Sequence, residues 1–169
     1  MITMLTRRHL VALPAAALLG GCGFKLRGKQ NFAFETIAVT PEKGAAVASE
    51  LSRYLGSMVR PVAPAAGGAL PDVIVDILGE TREKVMVALN ASGQVREYQL
   101  RIKVRFRMRS SKGRDLIEPT DILQERDISF NESAVLAKEA EEALLYRDMQ
   151  SDIVQQLLRR IAAVKTLEP

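Results

Sequence analysis

Between residues 94 and 110 the sequence alternates without a break. Tyr98, Leu100, Ile102, Val104, Phe106 and Met108 occupy the even positions; Gln99, Arg101, Lys103, Arg105, Arg107 and Arg109 occupy the odd ones. A period of two sends successive side chains to opposite faces of a pleated strand, so one face is built to be buried and the other to meet water. A helix would scatter both sets around its circumference. Such a strand demands a sheet that is covered on one side and polar on the other.

The flanking sequence supplies the neighbours. Residues 72–89 read as a long strand, with Val73, Val75 and Ile77 on one face, Val85, Val87 and Leu89 continuing it, and a bulge or bend at Gly79. Asn90-Ala91-Ser92-Gly93 makes a hairpin turn into the alternating strand. Ser111-Lys112-Gly113-Arg114 turns the chain again, and 121–130 reads as the next antiparallel strand. Upstream, Thr36-Ile37-Ala38-Val39-Thr40 is a first strand ended by Pro41. Residues 44–58 form a helix through Val47, Leu51, Tyr54, Leu55 and Met58, and 61–71 is a Pro/Gly-rich loop. Downstream, 133–164 carries the stripe Leu145, Met149, Ile153, Leu157, Ile161 and Val164, with Asn131 or Ser133 placed to cap it. Glu139, Glu141 and Glu142 come early and Arg159, Arg160 and Lys165 late, as the helix dipole favours. Unbroken, it would extend about 48 Å, and a break near 137–140 is allowed for. The order β-α-β-β-β-α gives an α/β chain of α+β two-layer type, two helices packed on one face of a mixed four-stranded sheet.

The first 21 residues stand apart. Arg7 and Arg8 precede a ten-residue apolar run, too short to span a bilayer but suited to a signal peptide. The run ends in Leu19-Gly20-Gly21-Cys22, which has the form of a bacterial lipobox, so Cys22 is the expected acylation site and the new N-terminus. Thr6-Arg7-Arg8-His9-Leu10 is similar to a twin-arginine signal, while the same arginines also serve an ordinary signal; either export route is open. No Asp follows Cys22, which directs the acylated chain to the outer membrane, stably held by several acyl chains. The expected organisation is a signal peptide at 1–21, a lipidated tether at 22–35 and one domain at 36–169. Cleavage after Gly21 also removes His9, the one histidine, and leaves Cys22 as the one cysteine. Histidine-based acid–base catalysis, Cys/His metal sites and internal disulfides are thereby excluded from the mature chain. With no phosphate loop or nucleophile elbow in the sequence, the expectation is a protein that is no enzyme and takes no metal or cofactor.

Charge is the remaining signal. Residues 22–114 hold 16 Lys and Arg against 8 Asp and Glu; residues 115–169 hold 6 against 12. The five cations from Arg101 to Arg109 stand about 7 Å apart along one sheet face. Two readings follow. Asp72, Asp76 and Glu80 on one neighbouring strand, with Asp121, Glu125 and Asp127 on the other, neutralise the ladder by cross-strand pairing. Alternatively, part of the face meets a polyanion. Nucleic acid does not fit the compartment, and no aromatic residue interleaves the cations. The phosphates of lipid A, the membrane end of lipopolysaccharide, fit it better, since Arg grips phosphate bidentately and Lys as a point charge.

Three stretches carry a family resemblance. Cys22-Gly23-Phe24-Lys25-Leu26-Arg27-Gly28 resembles the lipidated start of the LPS-assembly lipoprotein LptE family. Gly93-Gln94-Val95-Arg96-Glu97-Tyr98-Gln99-Leu100 is similar to its hairpin entry, and Phe130-Asn131 with Ala134-Val135-Leu136-Ala137-Lys138-Glu139 to its C-terminal region. The resemblance implies a non-enzymatic role: a plug inside the LptD β-barrel that aids the barrel's assembly and binds lipopolysaccharide. It adds Lys138 to the candidate lipopolysaccharide-binding residues, beside Arg101, Lys103, Arg105 and Arg107. The sequence departs from the family in lacking a long polar C-terminal tail and in having Ala91, with no basic residue, in the turn before Gly93. The competing expectation is an adaptor lipoprotein of another envelope transport complex, binding protein and no lipopolysaccharide.

Overall fold

The alternating stretch forms β3 (Val95–Ser110), flanked by β2 (Val73–Leu89) and β4 (Asp115–Ser129) in an antiparallel meander. The short β1 (Ile37–Thr40) adds parallel to the start of β2, giving the sheet order β1-β2-β3-β4. These elements, with α1 (Ala46–Leu55) and α2 (Val135–Ala163), come from a computed structural model that describes residues 31–41, 43–64 and 67–167. The signal segment, Cys22 and the tether up to residue 30 lie outside the described residues. Packing already begins within the segment read as tether, where Phe32 stacks on Phe34 at 5.1 Å and Phe34 joins the core. The predicted element order and the two-layer arrangement are those observed.

Both helices lie on the sheet face that carries the even-numbered side chains of β3, α1 over β1 and β2 and α2 over β3 and β4. Leu100, Ile102, Val104, Phe106 and Met108 are fully buried there, against Val47, Leu51 and Leu55 of α1 and Met149, Ile153, Leu157 and Ile161 of α2. The α1 helix has no side-chain cap of its own. Instead the Val47 N–H donates to a Glu80 carboxylate oxygen reaching over from β2 (3.1 Å). Its end is set by Gly56, whose positive φ of 56° turns the chain into a single 3₁₀ turn, Gly56–Met58. Tyr54, expected on the apolar stripe, is instead 56% exposed. The helices are joined by one buried polar contact: Glu50 of α1 accepts hydrogen bonds from Gln150 and from the Ser151 hydroxyl (2.7 Å).

Other expectations need correction. The α2 helix runs 29 residues without the break allowed for near 137–140, although its first half stands largely clear of the core, with Leu136 82% exposed. Asn131 does cap the approach, its side chain accepting from the Ser133 N–H in the 3₁₀ turn Glu132–Ala134. The β4 strand begins at Asp115, six residues before its predicted start, and carries Pro119 inside it. Proline is tolerated because β4 is an edge strand and loses no ladder bond on its free side. The largest correction concerns β2. The register shifts between Ile77 and Gly79, opposite Phe106 and Arg105, leaving Leu78 as an extra residue. One inserted residue reverses which side chains face the core. Val85 therefore does not continue the buried row of Val73, Val75 and Ile77, and Val87 and Leu89, which lie at two further register shifts between Met86 and Leu89, are 46% and 53% exposed. Glu80, Arg82 and Lys84 face the helices instead, as their bonds to Val47, Gln150 and Glu142 show.

Candidate functional site

The odd-numbered side chains of β3 form a row on the sheet face away from the helices, and most of its charge is already answered. Arg101 Nε lies 2.9 Å from Glu125 and also donates to Gln99, whose own amide reaches Asp127 at 3.0 Å. Lys103 pairs with Asp121 at 3.0 Å. Arg107 and Arg109 converge on Asp76 at 2.9 and 2.8 Å, and the Thr40 hydroxyl donates to the same carboxylate at 2.7 Å. Asp76 is 7% exposed. Burial pushes its pKa upward, but hydrogen bonds from Arg109, Thr40 and Arg107 and the charge of Arg109 outweigh that and hold it below the ordinary carboxylate value. The same hydrogen bond raises the pKa of Arg107, burial opposing it and the charges of Asp76 and Asp115 adding to it.

Arg105 is the exception. It stands opposite Gly79 on β2, which offers no side chain, and opposite Asp121 on β4, whose carboxylate goes to Lys103. Among the described residues it is the one cation of the row without an ion pair. Of the acidic residues expected to neutralise the ladder, Asp76, Asp121 and Glu125 do so; Asp127 accepts from the neutral Gln99 amide, Asp72 from the Glu35 and Thr36 N–H groups, and the Leu78 bulge carries Glu80 to the helix side.

Lys138 is on the other side of the sheet. It projects from α2 into a cleft of about 250 Å³ between that helix and the β3–β4 ends. Its ammonium donates to Ser129 Oγ at 2.9 Å and to Glu141 at 2.8 Å. Lys84 enters the same cleft from β2, 2.6 Å from Glu142 and 4.4 Å above the Tyr98 ring. Tyr98 meets Phe130 edge to face at 5.4 Å, and Ile128 and Val135 complete an apolar lining. Met86 (52% exposed) lies on the helix-facing side of β2 opposite Tyr98, and Leu136 (82%) follows Val135 on α2. The arrangement suits an amphiphile, with two ammonium groups, each now held by a carboxylate, for an anionic head and the apolar lining of Tyr98, Ile128, Phe130 and Val135 beside them. The fold thus separates Lys138 from the Arg101–Arg107 row. Lys84 was missed in the sequence because only the bulge at Leu78 turns it toward α2. The one signal was Gly79, a residue that marks bulges but does not say which way they shift the phase.

A three-stranded meander with one parallel edge strand, helices on one face and a polar, internally paired opposite face defines a small α+β domain of a kind found among bacterial lipoproteins. The solution structure of uncharacterized lipoprotein B from Nitrosomonas europaea is 36% identical, superposes with a TM-score of 0.68, and covers 83% of this chain and 91% of that one. The crystal structure of rare lipoprotein B from Shewanella oneidensis shares the fold at 22% identity (TM-score 0.60; 76% of this chain, 92% of that one). In sequence, the LPS-assembly lipoprotein LptE of Yersinia enterocolitica is 28% identical over 173 residues, covering 95% of this chain and 79% of that protein. The LptE family model, described as lipopolysaccharide-assembly, matches residues 34–161, and the chain belongs to that family. Its role therefore lies in lipopolysaccharide assembly, within a lipoprotein family that is not a family of enzymes.

Proposed function

We propose that this chain is an outer-membrane lipoprotein, held through acylated Cys22, that fills the lumen of an LptD-like β-barrel, helps that barrel assemble, and binds lipopolysaccharide on its way to the outer leaflet. The observation that carries the lipopolysaccharide reading is the cleft that brings Lys84 and Lys138 together beside Tyr98, Ile128, Phe130 and Val135, with Glu139 and Glu142 also in its wall and Lys84 4.4 Å above the Tyr98 ring. A lipid A phosphate displaces Glu141 and Glu142 from the two ammonium groups, because exposed ion pairs of this kind are worth only about 0–1 kcal/mol. The acyl chains then lie along the apolar residues. Arg105 is the second candidate contact, on the opposite face. Arg101 and Lys103 sit in ion pairs as exposed as those of Lys84 and Lys138 and yield to a phosphate by the same argument, whereas Arg107, held by the buried Asp76, serves as part of a neutralised polar surface. Such a surface suits the polar interior of a large barrel.

The same pairing favours the alternative, an adaptor lipoprotein of another envelope complex that binds no lipopolysaccharide. Two experiments separate them. Affinity purification of the lipidated chain from detergent-solubilised outer membranes should recover a stoichiometric large β-barrel that resists high salt; recovery without a barrel favours the adaptor. Replacing Lys84→Glu together with Lys138→Glu should weaken lipopolysaccharide binding roughly ten- to a hundredfold, the worth of one to two charge-assisted hydrogen bonds. Unchanged binding by a folded double variant would overturn the cleft assignment and leave the plug role standing.

A further inference from the structure

The sheet is unfinished along β2. The four residues of β1 pair only with Val73–Asp76 of β2, namely Val73, Ile74, Val75 and Asp76, while β2 continues to Leu89. The ladder fixes which backbone groups this leaves over. Ser111 N–H donates to the Asp72 carbonyl and Phe130 N–H to the Arg96 carbonyl, so odd residues of β3 bond toward β2 and even ones toward β4. Thr81, Glu83 and Val85, registered with Lys103, Arg101 and Gln99, thus turn their N–H and C=O groups toward β3, the Glu83 carbonyl also accepting from the Tyr146 hydroxyl at 2.8 Å. Glu80, Arg82 and Lys84 point theirs the other way, where no described strand pairs with them.

Among the described residues, that edge is lined by space rather than covered. Two open clefts, about 620 and 640 Å³, border it and share Arg82. The first lies beside Pro41, Gly44 and Ala46, where β1 ends; the second lies beside Tyr146 and Arg147 of α2. Together they prolong the line that β1 abandons at Thr40. The other sheet edge is guarded differently: β4 has Pro119 within it, whereas β2 has no proline from 73 to 89.

We infer that the β2 edge at Glu80–Lys84, residues 80 to 84, binds an extended polypeptide segment as an added strand, contributed by the protein partner. This rests on the reading above, in which that partner is the β-barrel. The unpaired groups call for a main chain, because donors and acceptors alternate along the edge at strand spacing. An acyl chain satisfies none of them, and a phosphate satisfies only the donors. Glu80, Arg82, Glu83 and Lys84 alternate in sign, which suits a segment of mixed polarity over a purely acidic or basic one.

Hydrogen exchange at single-residue resolution tests this on the full lipidated chain in detergent, free and bound to the co-purified barrel. In the free chain the amides of Glu80, Arg82 and Lys84 should exchange fast and those of Thr81, Glu83 and Val85 slowly. Binding should slow the first set by at least about tenfold, the worth of one net hydrogen bond. Arg82→Pro, which removes an outward N–H and no bond to β3, should lose the barrel more than Arg82→Ala does. A bound chain whose three amides still exchange fast overturns the inference while the plug reading stands. Failure to recover any barrel overturns both. Slowing that rises with the concentration of the free chain identifies a second copy as the occupant and also overturns it.

Discussion

Asp76 holds together more of this sheet than any other charged residue, and its removal has a computable consequence. One carboxylate accepts from Thr40 on β1 (2.7 Å) and from Arg109 and Arg107 on β3 (2.8 and 2.9 Å), so it ties three strands across the polar face. Hydrogen bonds to a charged group are worth about 1.5–3 kcal/mol each when fully buried. The two guanidinium groups are 25% and 36% exposed on the side chain and rehydrate when the acid is lost, so the three bonds do not sum. Asp76→Asn, which preserves shape and removes charge, should then cost about 2–3 kcal/mol near neutral pH. For a domain of this size that lowers Tm by roughly 8–12 °C. The effect has a pH signature. A carboxyl with a depressed folded pKa stabilises the fold fully above its unfolded value, near 3.8, and loses that contribution as pH falls through the folded value. Urea unfolding of the full chain and the variant should therefore diverge at pH 7 and converge once pH drops below the folded pKa. A difference under about 0.5 kcal/mol at pH 7 would refute the hub. An undiminished difference at low pH would show that shape, not charge, was lost.

Further expectations concern neighbouring features. Asp72 is also depressed, chiefly by the Thr36 backbone N–H, with burial opposing and the Glu35 N–H and Thr36 hydroxyl assisting. The Asp76→Asn variant should thus retain some acid-dependent loss of stability below about pH 4 in a urea titration. Phe106→Ala, at the fully buried centre of β3, should cost about 3–5 kcal/mol in the same assay, whereas Arg105→Ala next to it should change stability by less than about 0.5 kcal/mol. Gly113 has φ of 87° in the β3–β4 turn, so Gly113→Ala should cost about 1–2 kcal/mol without altering lipopolysaccharide binding.

Much of the architecture was legible because it is written in local periodicity. The even-odd alternation of 94–110 forced a half-covered sheet, and the spacing from Leu145 to Ile161 forced a helix to cover it. Both signals arise from a chain folding against any apolar surface, so they hold without knowledge of the partner. The expected lipobox at Cys22 is likewise a linear signal, and it lies outside the described residues. The early start of β4 was hidden by Pro119, which argues against a strand unless one knows that the strand is an edge.

What the sequence could not decide is anything that depends on register. Whether Leu78 is a bulge is settled by its having no partner between Phe106 and Arg105, a relation between strands. That one residue determines that Glu80 reaches the first turn of α1, that Lys84 enters the cleft with Lys138, and that Val85 turns to the opposite face. It also puts Gly79 opposite Arg105 and so leaves that cation unmatched while Arg101, Lys103 and Arg107 find carboxylates. Composition and spacing determined that a basic row would exist and face solvent. Only the packed sheet decided which of its charges were already spent, because charge pairing falls off over a few ångströms and a one-residue slip moves a side chain to the other face.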